Sequence, residues 1–526
     1  MRDLIAGVTV ALVALPLALA FGEASGIGAQ AGLVTAVLAG AIAAVFGGSN
    51  LQVSGPTGAM TVVLVPVVHR FGTEGLFQVG LMAGAVLLIL AVTRVGRAVR
   101  YLPVSLVEGF TAGIAVVIAL QQVPNLLGVQ AGESEHLWVS AIDAAERFAG
   151  DPDPVPPLIG LTVAAVILAG ARWAPTIPLS LLAVAGATMV AFLAGLPVDT
   201  IGALPPLFTS PSADFFEWER IGVLLPSAAA VAALAALESL LCATVADGMT
   251  VGEHHNPDRE LLGQGLANLA VPFFGGVPAT AAIARTAVNV RAGATSRLAA
   301  LTHAVVLGAI VLVAAPIVGA IPLAALAGVL LATTVQMIDL RVLLAVARST
   351  RADAVILIVT FAVTVFVDLV TAVVIGFGIA ALLALYEVSR SARLERVSLL
   401  DGTEQSDHTA EEHELLHEHI VAYRIEGPLF FGAAHRFLHE LTTVADIQVL
   451  ILRLGQVTTL DATGARILDD AIRSLERRGI AVLVSGVRPG HREVLRRSGA
   501  LVDLDARGRV FPTTPDAIEV ARQLVA

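Results

Sequence analysis

From its start to about residue 389 this chain is a succession of apolar segments, and that pattern constrains its fold more than any other feature. Candidate spans begin at Leu4, Ala31, Pro56, Leu76, Val104, Pro157, Ile177, Pro226, Leu261, Thr280, Leu298, Ile321, Ala354 and Val370. A helix needs about 20 mostly apolar residues to cross a bilayer, fewer where it is broken. Only 14% of residues are charged, against about a quarter in a soluble protein. Lipid is therefore the solvent for most of the chain. The first apolar run is expected to be a span and not a cleavable signal, because Arg2 alone precedes it and no small-residue cleavage site stands out.

Arginine placement orients the spans. Arg94, Arg97 and Arg100 follow the fourth segment, Arg291 and Arg297 the tenth, and Arg341, Arg348 and Arg351 the twelfth. The loops 129–155 and 197–220 are instead acid-rich, with Glu133, Glu135, Asp151 and Asp153, then Asp214 and Glu217. An even number of spans with the N-terminus inside puts every arginine cluster in the cytoplasm and both acidic loops outside. The expected place is the inner (plasma) membrane. All 32 basic residues are arginine, and the net charge of -11 lies mostly outside the apolar segments. It serves solubility and gives no footprint for nucleic acid. The single cysteine, Cys242, excludes an internal disulfide and a cysteine zinc cluster.

Two similar sentences interrupt the helices. Residues 46–58 read FGGSNLQVSGPTG, and residues 273–280 read FFGGVPAT. In lipid such breaks survive only where the freed backbone faces protein or a water-filled cavity. The Phe-Gly-Gly copies start at 46 and 274, and a separation of seven spans reverses the second copy in the membrane. This is the pattern of an inverted-repeat transporter with a midplane site. Pro56 suits a first helical turn, and Pro278 and Thr280 are expected to play similar parts. Two half-helix N-termini would then offer about +0.5 of a charge each, with several free N–H groups. Ordinary kinks for helix packing are the plain alternative.

Ionisable residues inside the segments are functional candidates. Arg285 lies five residues beyond Thr280 and adds positive charge near the break. Glu238 is mid-segment, with Cys242 one turn on and on the same face. It is a candidate proton carrier or cation ligand, or one half of an ion pair with Arg285. Glu23 is a coupling carboxylate or an interfacial group. Glu108, Asp368, His69 and Arg70 read as segment-end residues.

After Tyr386 the composition turns polar, and the expected division is a transmembrane domain over 1–389, a linker over 390–418 and a soluble domain over 419–526. The linker reads as charged with a short helix, and its histidines (HTAEEHELLHEHI) as a solvated face before a metal site. IVAYRIEG, VLILRL and IAVLVSG read as strands; AAHRFLHELTTV, TGARILDDAIRSLERRG and PDAIEVARQLV read as amphipathic helices. The last domain is thus a cytoplasmic α/β unit. No nucleophile–base pair or metal cluster stands out, so neither an enzyme nor a cofactor is expected.

FGGSNLQVSGPTGAM, LVEGFTAG, GLANLAVPFFGGVPATAAIARTAVNVRAGA and VTTLDATGARIL, in that order, resemble the SulP anion transporters, solute carrier family 26 in animals. The resemblance covers nearly the whole chain. It implies an all-α polytopic membrane domain of fourteen segments in a seven-plus-seven inverted repeat with two half-helices, a cytoplasmic STAS domain and a homodimer. Substrates in the family include sulfate, bicarbonate, chloride, oxalate and other carboxylates, moved by symport or exchange. The implied site comprises Leu17 and Phe21, Gly55, Pro56 and Thr57, Glu238 and Cys242, and Ala282, Ile283, Ala284 and Arg285. Leu17 stands where the family often has glutamine, and Ala284 where it often has serine. Both departures remove side-chain hydrogen bonds. Cys242 replaces an oxygen ligand found in sodium-coupled carriers, and hard cations favour oxygen. Proton coupling is therefore expected over sodium. Thr463 of LDATG falls at a position phosphorylated in bacterial STAS switch proteins, while Asp461 and Thr463 also read as helix caps. The leading expectation is a proton-coupled anion symporter with an elevator-like movement. A sodium-coupled bicarbonate symporter, a nucleobase symporter of the same architecture and an anion channel remain open at this point.

Overall fold

The computed structural model describes the chain apart from residues 95, 98–102, 131–136, 174–177, 205–209, 251, 253, 391–392, 397–418, 430–446, 500 and 526. It divides into two compact units, Met1–Gly378 and Ile379–Ala526.

The first unit is helical. Its elements begin with α1 (Arg2–Ala24), α2 (Ala29–Phe46), β1 (Ser54–Gly55), α3 (Gly58–Val92) and α4 (Val104–Leu127). Next come α5 (Leu137–Gly150), α6 (Val155–Trp173), α7 (Leu179–Ala194), α8 (Ile221–Gly248), α9 (Pro257–Ala270), β2 (Thr280–Ala281) and α10 (Ile283–Arg291). α11 (Arg297–Gly319), α12 (Leu323–Met337), α13 (Leu340–Ser349), α14 (Arg351–Phe366) and α15 (Leu369–Arg390) follow, the last running past the unit's edge. Each of the fourteen expected segments is helical. The third and fourth form one long helix, α3, bent where Gly72 leaves the helical region (φ 72°).

Among the described residues, eight helical stretches are long and apolar enough to cross a membrane. α9 and α10 have only 14 and 9 residues and stop inside the unit. Proline within α1, α3, α4, α8 and α11 is tolerated because neighbouring helices re-satisfy the freed backbone groups. Small residues let helices close on one another. A Cβ on Gly32 of α2 would land on the Ala18 carbonyl of α1.

Four expectations need correction. α9 starts at Pro257, four residues before Leu261, because Asn256 caps it by accepting from the Arg259 N–H and Pro257 takes the first turn. α3 starts at Gly58 with Thr57 as N-cap, so Pro56 precedes the helix. α10 starts at Ile283, so Pro278 and Thr280 belong to the extended break and Arg285 to the first turn. The region 129–155, expected as loop, contains the amphipathic α5. A second amphipathic helix, α13, carries Arg341 and Arg348 and buries no residue, while Arg351 opens α14.

The second unit is an α/β fold. Its described strands are β3 (Arg393–Arg396), β4 (Ile420–Leu429), β5 (Val449–Leu460), β6 (Ala481–Ser485) and β7 (Val510–Phe511), in that order across the sheet. β3 pairs antiparallel with β4, and the rest are parallel. β5 reads VLILRL because both faces are covered; Leu450 and Leu452 pack with the helix Ala462–Arg477 on one side, Val449 and Ile451 with Thr514–Val525 on the other. The stretch expected as a linker with a helix holds strand β3 in its described part. The helix expected at AAHRFLHELTTV and most of the linker histidines lie outside the described residues. Helices Pro489–Ser498 and Val502–Ala506 were not anticipated.

Candidate functional site

The two helix breaks meet. Ser54 pairs with Ala281 and Gly55 with Thr280, antiparallel. The Ala282 N–H donates to the Val53 carbonyl at 3.0 Å. Each strand runs straight into the N-terminus of a half-helix, α3 or α10. The pairing requires extended backbone, which is why glycine, proline and β-branched residues replace helix formers here.

Each break is held from behind by side chains, most of them on the other half. Gly48 and Ser49 donate their N–H groups to Glu260 of α9, at 2.8 and 3.1 Å. The glycines are required by proximity: a Cβ on Gly48 would strike the Asn256 carbonyl and lie 2.7 Å from the Glu260 nitrogen. Asn289 of α10 donates to the Leu51 carbonyl at 2.8 Å, and the Val53 N–H donates to Thr286 at 3.0 Å. In the second break, Val277 exchanges both backbone bonds with the Thr35 hydroxyl of α2, at 2.8 and 2.9 Å. Ala279 does the same with the Asn268 amide of α9, again at 2.8 and 2.9 Å. These groups are buried, so the accounting for the extended backbone is nearly complete without water.

At the front, Thr57 caps α3 by accepting from the Met60 N–H at 3.3 Å and donates its own hydroxyl hydrogen to Glu238 at 2.9 Å. Glu238 is half-buried and makes no ion pair with Arg285, so the plain alternative of a structural ion pair between the two is not what the geometry gives. Next to it, Ser239 shares a 2.9 Å hydrogen bond with Thr280 and accepts the Ala281 N–H at 3.2 Å. Cys242 is fully buried and donates to Thr286 at 3.2 Å, so it faces packed protein. Arg285 is 1% exposed; it donates one N–H to the Pro56 carbonyl, while Nε and Nη1 have no partner. No side chain caps α10, since Ala282 has no oxygen to offer. Ile283 and Ala284 at this open end are exposed.

Of the expected site residues, Thr57 and Glu238 are in contact, Arg285 reaches Pro56, and Phe21 lies against Gly58 at the start of α3. Leu17 and Phe21 are buried in α1, which supplies only apolar surface here. Glu23 stands apart, accepting the Ala29 N–H at 2.8 Å and so holding the first turn of α2. Thr463 lies in the other unit. Asp461 alone caps the helix there, accepting from Gly464 at 2.6 Å, and Thr463 is exposed in its first turn without a capping role. The clamp residues Glu260, Gln264 and Asn268 escaped the sequence reading. Their i, i+4, i+8 spacing in ELLGQGLAN, a polar stripe on an otherwise apolar helix, was the available signal.

Half-helices that cross at their N-termini inside a bundle of apolar helices define a membrane transporter. The sequence family model described as the sulfate permease family matches residues 1–360, and a STAS domain model matches 415–517. The chain belongs to the sulfate permease family and is a multi-pass membrane anion transporter; its relatives are transporters, not enzymes. It is 33% identical to "Putative sulfate transporter YvdB" of Bacillus subtilis (strain 168), over 95% of this chain and 93% of that one. It is 32% identical to the bicarbonate transporter BicA of Picosynechococcus sp., over 89% and 86%. The solved transmembrane domain of a cyanobacterial BicA aligns with a TM-score of 0.64 at 32% identity, covering 71% of this chain and 97% of that one. The overall structure of SLC26A9 aligns over 99% of this chain and 90% of its own with a TM-score of 0.83, and at 16% identity it supports the fold.

Proposed function

We propose that this protein is a secondary active transporter of a small anion of the carboxylate or dicarboxylate, bicarbonate or sulfate class, driven by co-transported protons. The anion sits between the α3 and α10 N-termini, against Gly55–Thr57 and Ala282–Arg285, with Leu17 and Phe21 as its apolar wall. The core carrying the half-helices moves as an elevator. The observation that carries this reading is Arg285, a buried guanidinium with two unpartnered nitrogens in the first turn of an uncapped half-helix. A buried unpaired cation is costly, and an anion at the helix end offsets that cost.

Charge favours an accompanying proton. Two helix ends at about +0.5 each plus Arg285 give about +2. Glu238, bonded to Thr57 at one of those ends, subtracts one when ionised. A proton on Glu238 removes the repulsion an arriving anion meets. Sodium coupling has one observation in its favour, the hydroxyls of Thr57, Ser239 and Thr280 near this carboxylate; Cys242, turned to Thr286, offers only sulfur. The reading places the N-terminus and STAS domain in the cytoplasm of an inner-membrane homodimer, with the membrane domain over 1–389, a linker over 390–418 and a regulatory domain over 419–526, in which exposed Thr463 is the candidate modification site.

The test is Glu238→Gln in proteoliposomes, with uptake of sulfate, bicarbonate and succinate measured under proton and sodium gradients. The expected result is loss of pH-driven accumulation with anion binding retained. Accumulation that still follows the proton gradient removes Glu238 from the coupling role; accumulation that follows sodium alone replaces the proton.

A further inference from the structure

Glu260 is 2% exposed in the first turn of α9, behind the first break. Among the described residues, no cationic side chain lies within ion-pair distance. Instead, its carboxylate accepts four N–H donors: Gly48 and Ser49 on Oε2, and Gln52 (2.9 Å) and Gln264 (3.0 Å) on Oε1. A carboxylate has about four lone-pair positions, so its capacity is filled. The same Gln264 amide donates to the Ser54 hydroxyl at 2.6 Å. Ser54 is the first residue of β1, three residues before the Thr57 cap. A continuous path of hydrogen bonds thus runs from Glu260 to the strand that enters α3.

We propose that Glu260 is a positioning residue for transport: it acts through Gln264 and the 48–52 backbone to hold Gly55–Thr57 where the anion binds. The proposal rests on the site reading above. The four contacts, and not the charge, carry the role. The Oε1 atoms of both Gln52 and Gln264 are unpartnered, so either amide can turn over and accept. A glutamine at 260 then keeps all four contacts: its oxygen takes Gly48 and Ser49, its NH₂ donates to the two turned amides, and the Ser54 hydroxyl donates in place of accepting.

Glu260→Ala, Glu260→Gln, Gln264→Leu and Arg285→Ala are compared in proteoliposomes, using whichever of radiolabelled sulfate, bicarbonate or succinate the wild type takes up fastest. Folded transporter is quantified by size-exclusion chromatography. Glu260→Ala is expected to raise KM roughly tenfold, the worth of one misaligned hydrogen bond, with Vmax per folded transporter within a factor of about three. Glu260→Gln returns KM to near wild type, and Gln264→Leu, which cuts only the Ser54 link, raises KM in the same direction. Should Glu260→Ala not fold, Gln264→Leu decides alone. An unchanged KM in Glu260→Ala, or in Gln264→Leu, overturns the proposal, as does a Glu260→Gln defect equal to that of Glu260→Ala. Those results with uptake lost in Arg285→Ala leave the site reading standing. Normal uptake in Arg285→Ala overturns the site reading itself.

Discussion

Asn268→Leu isolates what holds the second break. The Asn268 amide satisfies both backbone groups of Ala279, at 2.8 and 2.9 Å, and both residues are fully buried. Leucine preserves bulk and removes the partners. Two buried backbone groups are then left unpaired, at about 1–3 kcal/mol each, a total of about 2–6 kcal/mol. That is a large share of a stability of the order of 5–15 kcal/mol. In a thermal melt of the detergent-solubilised transporter, a loss at the low end lowers the apparent Tm by about 4 °C or more, taking roughly 2 °C per kcal/mol for a large domain. A Tm for Asn268→Leu within about 1 °C of wild type refutes the reasoning, because the break would then be held by something other than this side chain.

Gly48→Ala pushes a methyl onto the Asn256 carbonyl and should cost about 1–3 kcal/mol in the same melt, whereas Gly186→Ala, in α7 with nothing within 4 Å of the new carbon, should be neutral or gain up to about 1 kcal/mol. Thr57→Val removes both the cap of α3 and the bond to Glu238, so stability falls by at least the ~1 kcal/mol of a lost cap while Thr57→Ser stays near wild type; equal melts for the two would contradict the geometry. In the STAS unit, burial and then the nearby Arg488 hold His491 below the ordinary imidazole range. The unfolded chain therefore binds its proton first, and stability is lost as pH falls below about 6.5. Hydrogen exchange across Pro489–Ser498 should quicken between pH 7 and pH 5, and His491→Gln should flatten that dependence.

The legibility of this chain in its sequence follows physical lines. Spans were readable because lipid demands long apolar runs, and the two breaks because glycine and proline have few other uses there. Helix starts were less so: Thr57 and Asn256 decide where α3 and α9 begin, and a cap is a single residue inside a noisy boundary. Arg285 stood out as a charge in an apolar segment, yet its partner did not follow from sequence, since Glu238 turns to Thr57 and leaves the guanidinium unpaired. Glu260 was overlooked because it lies next to a polar loop and reads as solvated, although the fold wraps that loop back over it. Its role depends on residues 48–52, more than 200 positions away in the chain, and no local pattern carries that information.

The central claim is that an anion binds where the α3 and α10 N-termini meet, beside Arg285. The most direct measurement is binding of the transported anion to purified wild type and Arg285→Ala by calorimetry, with folding matched by size-exclusion chromatography. Removing a buried charge that pairs with the ligand should weaken binding by at least about tenfold. Equal affinity in the two proteins would contradict the account.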